Sequence, residues 1–227
     1  MAVTQGVNFR GRFEYLEAIE EYWPEILRSL RAAALTPFVA CVQVSSQPTP
    51  TTYAGLRHQL SDVPCIADVC SAVQSWATSQ GIRDRWMFDA AVQTLAVWSK
   101  GNAKERWFYT PEMSGEFNPT FGTMWLPSLM TWGEFKKVTD KQYREQLLDY
   151  RKRVACAWGS HSTAITQQAI STVLFQRGKS PGEIRLWEMR ERKRKLSEAN
   201  IHVQVRAFAA SIGVTLRPAK HGPKNQT

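Results

Sequence analysis

The sequence predicts a mainly α, multi-helix globular bundle with a Trp-rich core, room for one or two short strands, and a basic C-terminal helical region. Three observations carry that expectation. Apolar residues recur at helical spacing through several long stretches, and the strongest of these open on helix-capping signatures. The composition, 43% hydrophobic and 22% charged over 227 residues, is that of a chain able to bury a core without disulfide or metal support. Nine tryptophans supply large apolar area, each with one N–H, suited to packing or to stacking.

The first predicted helix runs from Phe13 to Leu35, with Leu16, Ile19, Trp23, Ile26, Leu27 and Leu30 on one side. Pro24 should kink it or start a second segment. Its acidic residues, Glu14, Glu17, Glu20, Glu21 and Glu25, read as a solvated face rather than a carboxylate metal site. Residues 38–44, rich in β-branched side chains after Pro37, suit a short buried strand, although helix is also compatible with them. Residues 47–52 form a turn by composition.

Helices are predicted at 66–78 and 83–98, separated by Ser79-Gln80-Gly81 and ended by Lys100-Gly101-Asn102. Between 101 and 130 glycine, proline and aromatic residues alternate, as in an irregular packed connection with a strand near 106–109. Trp107, Phe108 and Tyr109 could face either core or ligand there. Thr131-Trp132-Gly133-Glu134 has capping-box form and opens a helix through Trp158, broken by Gly159-Ser160. A further helix fits 163–176. Ser180-Pro181-Gly182-Glu183 is another capping box, with Pro at the first helical position, opening a helix that turns basic at Arg190-Glu191-Arg192-Lys193-Arg194-Lys195. Ile201, Val205, Phe208 and Ile212 then give a last helix ending at Gly213.

Composition thus divides the chain into a near-neutral helical body at 1–130, a helical basic region at 131–217 packed on it, and a flexible tail at 218–227. Charge follows the same division. The formal net charge is +9, and residues 177–227 alone hold twelve Lys/Arg against four Asp/Glu. A cationic end on a near-neutral body bears on the partner, because clustered Lys/Arg attracts phosphate polymers. The residues expected to contact phosphate are Arg177, Lys179, Arg185, Arg190, Arg192, Lys193, Arg194 and Lys195, with Arg206, Arg217, Lys220 and Lys224 around them. Six consecutive helical residues wrap more than one turn, so the run 190–195 cannot face one partner unless the segment bends. The outline of 163–195 resembles a helix-turn-helix, but its second helix begins Pro-Gly-Glu-Ile-Arg-Leu-Trp, which reads as core rather than as base-reading surface. Phe208 to Thr215, a second such outline, lacks a following helix and reads as a capped terminal helix.

Other chemistry finds no signature. Cys41, His58, Cys65 and Cys70 lack metal-knuckle spacing, and Cys156 near His161 reads as an inert core thiol. Asp62, Asp68, Asp84 and Asp89 carry no spacing that demands paired carboxylates, and no phosphate loop, nucleophile elbow or zinc-protease motif is present. No cofactor or metal is expected. The chain reads as cytoplasmic, without a secretory signal, a membrane span or the apolar anchors of a membrane-surface helix. The expected function is therefore a non-enzymatic nucleic-acid-binding protein or nucleoprotein-complex subunit, contacting DNA or RNA through the backbone without sequence-specific readout. Two other classes remain: a helical protein-interaction subunit in which the acidic N-terminal helix meets a basic region, and an enzyme with a cleft around 101–130.

Overall fold

The computed structural model describes residues 8–45, 48–59, 63–110, 119–122, 124–158 and 163–218, with the side chains of 59 and 151–158 outside the described set. Ten α-helices follow in order among the described residues: α1 Phe9–Tyr22, α2 Glu25–Leu30, α3 Thr36–Val44, α4 Tyr53–Gln59, α5 Ile66–Ser79, α6 Arg85–Trp98, α7 Trp132–Trp158, α8 Thr163–Gln176, α9 Pro181–Arg192 and α10 Glu198–Ile212. A π-helical turn, Arg31–Leu35, joins α2 to α3. The mainly α expectation holds. The break expected at Gly159-Ser160, and the expected tail beyond Pro218, lie outside the described residues.

Pro24 starts a second segment, as its missing N–H and fixed φ dictate. The strand expected at 38–44 is instead α3. Ala34 of the π turn and Phe38 and Cys41 of α3 are buried four and three residues apart, a helical period that outweighs the β-branched composition. Pro37 survives in the first turn because the residue four before it, Ala33, lies in the widened π turn, where the clash of ring and carbonyl is relieved. No strand forms at 106–109 either. Trp107 is buried and its N–H meets the Glu20 carboxylate, while Thr94 Oγ1 accepts from the Phe108 N–H at 3.0 Å. Side chains of two helices take the backbone bonds a sheet would have supplied.

Two compact units result, residues 1–10 with 111–160 and residues 11–110 with 161–227. In the first, the Thr131–Glu134 capping box forms: the Thr131 N–H donates to Glu134 at 2.9 Å and the Glu134 N–H to Thr131 Oγ1 at 3.3 Å. These bonds hold the Glu134 carboxyl below its usual range. Thr120 and the Gln146 amide bond reciprocally at 2.9 and 2.7 Å, and Trp125 meets Trp132 edge-on at 5.2 Å.

In the second unit α3 and the π turn pack on α5, α4 on α5 and α6, and α10 on α8 and α9. The core contains Trp76, Trp86, Trp98 and Trp107. Trp86 sits at its centre of connections: Nε1 donates to the Gly213 carbonyl at 3.0 Å, Arg12 lies over its ring at 4.7 Å, and Tyr15 and Tyr109 meet it at 6.3 and 5.6 Å. Arg12 also donates to the Ile212 carbonyl and the Tyr109 hydroxyl, each at 3.0 Å. The acidic side of α1 is only partly solvated, in contrast to expectation. Glu14 is buried and accepts from Thr166 Oγ1 at 2.7 Å. Burial raises the Glu20 carboxyl above its usual range, against the opposing pull of the Trp107 N–H and Arg106.

Candidate nucleic-acid interface

The basic region is built on three helices whose ends are fixed by local chemistry. Helix α8 stops at Gly178, whose φ of 112° is open to glycine alone, and the Lys179 N–H closes the turn onto the Leu174 carbonyl at 3.0 Å. Ser180 caps α9 in a complete capping box, with Pro181 in the first turn. Helix α10 begins on Ser197, which accepts from the Asn200 N–H, and ends at Gly213 in a Schellman turn closed by the Val214 N–H on the Ala209 carbonyl at 2.8 Å.

The basic run does not continue as helix. Lys193 adopts a left-handed conformation, φ 56°, and the Arg194 N–H turns back to the Glu188 carbonyl at 3.2 Å. The bend has a buried anchor. Glu188 is fully buried, accepts from Ser171 Oγ at 3.1 Å, and pairs with the Arg194 guanidinium at 3.4 Å. Residues 193–197 lie outside the helices, so the run is spread over a helix end and an extended strap.

The eight cations named from sequence have different surroundings. Arg177 donates to the Tyr22 carbonyl at 2.7 Å and pairs with Glu25 at 3.6 Å. Lys179 pairs with Glu183 at 3.5 Å, and Arg185 with Glu198 at 3.6 Å. Arg192 lies over the Trp187 ring at 5.1 Å, and Arg194 is committed to Glu188. That leaves Arg190, Lys193 and Lys195, exposed and without a carboxylate partner among the described residues. The exposed Lys193 ammonium donates to the Arg190 carbonyl at 3.3 Å. Of the surrounding cations, Arg206 is exposed in the same way, and Arg217 is spent on α8 and the turn after it, donating to the Phe175 and Lys179 carbonyls and covering the Phe175 ring at 4.7 Å. Lys220 and Lys224 lie outside the described residues.

The half-exposed pairs of Arg177, Lys179 and Arg185 contribute little to stability, about 0–1 kcal/mol each, and a phosphate could displace them. The adjacent carboxylates nevertheless offset those cations. Sequence reasoning missed Glu188, although one signal was present: it stands four residues after Ile184, on the stripe that α9 buries.

Other candidate chemistry resolves into packing. Trp107, Phe108 and Tyr109 face the core. Residues 111–118 and 123 of the expected cleft lie outside the described set, as do the surroundings of Cys156 and His161. Burial, with Cys65 and Cys70 close by, pushes the Cys41 thiol up to about 12. No group of three metal-binding side chains converges among the described residues. A recess of about 20 Å³ between Tyr15, Trp23, Asp84 and Gln176 holds little more than one water. No helix among the described residues is long and apolar enough to cross a membrane.

No known family, curated protein or solved structure matches this sequence.

Proposed function

We propose that this chain binds nucleic acid through phosphate contacts at the strap between α9 and α10, as a nucleic-acid-binding protein or a nucleoprotein-complex subunit. One observation carries the reading. The bend at Lys193 brings the strap out of the helix, and Arg190, Lys193 and Lys195 are exposed without carboxylate partners among the described residues. The bend also answers the geometric objection that a straight helix would scatter the run around its axis. Phosphate contact at such a site is backbone recognition, which sets affinity and salt dependence and carries no sequence information.

Fluorescence anisotropy with single- and double-stranded DNA and RNA at several salt concentrations tests this. The expected result is steeply salt-dependent binding. Replacing Arg190, Lys193 and Lys195 together by Gln flattens the log–log salt slope by about three and weakens binding at low salt by about two orders of magnitude. An unchanged slope would show that the contacts lie elsewhere.

A second reading, a helical protein-interaction subunit, is supported by the first unit. Met124, Leu129 and Trp132 are 78%, 75% and 58% exposed there, more apolar surface than a solitary helix needs. The absence of binding to all four nucleic acids at low salt would move the weight to this reading.

A further inference from the structure

The nucleic-acid reading leaves open which element lies against the polymer and which form of nucleic acid fits it. The outline read from sequence makes α9 the second helix of a helix-turn-helix. Its exposed positions argue against placing it in a groove: Leu186 and Met189 are apolar, and Glu183 and Glu191 would face phosphates with like charge. Helix α10 is different. Ile201, Val205, Phe208, Ala209 and Ile212 hold it against α8 and α9. The opposite side, Ala199, Asn200, Val203, Arg206, Ala207 and Ala210, is exposed along its whole length.

Three features of that side suit double-stranded DNA. First, it carries no carboxylate: no Asp or Glu occurs from Ala199 to Thr227, and Glu198 at the helix start is paired with Arg185 at 3.6 Å. Secondly, three of its residues are alanines, so the helix backbone can approach a surface closely. An α-helix about 10–12 Å across fits the major groove of B-form DNA, about 12 Å wide, when its side chains are short. Thirdly, its N-terminal end follows directly on the strap that carries Lys193 and Lys195. A helix seated in the groove would therefore enter beside cations placed for the flanking phosphates. Asn200 and Arg206 have the hydrogen-bonding groups for base edges, and Val203, 64% exposed, is an apolar contact for a thymine methyl.

We infer that α10, rather than α9, is the element that enters the major groove of double-stranded DNA, with the strap on the adjoining phosphates. The inference rests on the nucleic-acid reading above. It excludes an RNA duplex as the preferred partner, because the A-form major groove is too deep and narrow to admit a helix. With so few base-reading groups, the seat gives close approach and modest discrimination among sequences.

The test uses the unmodified full chain and two duplexes of one sequence, one of which carries glucosylated 5-hydroxymethylcytosine. The sugar fills the major groove and leaves every phosphate in place. The expected result is that the glucosylated duplex binds about tenfold or more weakly. Ala207→Glu, an exposed helical position, should weaken binding to the plain duplex to a similar degree, with circular dichroism reporting the fold. Equal affinity for the two duplexes, with binding still lost in the Arg190, Lys193 and Lys195 variant, would overturn the placement of α10 and leave the phosphate reading intact. Equal or tighter binding to duplex RNA would also overturn it. Binding to single strands but to no duplex would overturn the placement of α10 alone, and no binding to any of the four nucleic acids would overturn both readings.

Discussion

Replacing Trp86 by alanine is expected to lower the unfolding free energy by about 4 kcal/mol, as other large-to-small changes at buried aromatic positions do. On a typical total of about 5–15 kcal/mol this leaves a marginal fold. The size of the effect follows from what the indole joins. It packs on Tyr15 of α1 and on Tyr109, lies beneath the Arg12 guanidinium, and fixes the turn after α10 through Gly213. Urea unfolding followed by circular dichroism measures the loss. Trp86→Phe keeps most of the ring and forfeits the Gly213 bond, so it should cost about 1–2 kcal/mol. Similar losses for the two variants would show that the hydrogen bond, rather than the packed ring, is what Trp86 contributes.

Arg194→Ala is expected to cost about 3 kcal/mol, an effect of a different kind. Removing one partner of a buried ion pair leaves the other uncompensated, and Glu188 would retain only the Ser171 hydroxyl. The lower end of the usual range applies because the Arg194 side chain is 30% exposed and water can partly take its place. Arg190→Ala, four residues earlier on the surface, should change stability by only about 0.5 kcal/mol or less. Thermal denaturation of the two variants side by side checks the contrast, and equal shifts would mean that Glu188 finds another partner. The contrast also governs how the basic run is probed. Reversing Arg194 would mix unfolding with lost binding, whereas Arg190, Lys193 and Lys195 report on binding alone.

Local signals in the sequence match local structure. Both capping boxes form, at Thr131 and at Ser180, and the glycine stops at Gly178 and Gly213 are where turn chemistry places them. These features depend on residues three or four apart and are therefore legible in the sequence. Residues 38–44 were harder, since β-branched composition and helical burial point in opposite directions, and the choice was made by the core that Phe38 and Cys41 enter. The candidate site was legible as charge and opaque as geometry. Arg177 meets a carbonyl and a carboxylate more than 150 residues away. Arg194 reaches Glu188 only because Lys193 leaves the helix, so no regular spacing reveals the pair. The buried Glu14–Thr166 bond is hidden for the same reason, its partners being 152 residues apart.

The π turn at Arg31–Leu35 has a bearing on which changes of length the chain tolerates. A π turn holds one more residue than the α-helical turn it replaces, and here the surplus falls in a run of three alanines. Exchanging Ala32 or Ala33, both exposed, for another helix former should pass almost unnoticed. Deleting either would remove the surplus residue and restore α-helical winding, with the facing of all that follows unchanged. Phe38 and Cys41 would keep their place in the core, but Pro37 would regain its clash with the preceding turn. The segment is thus permissive of spelling and strict about count.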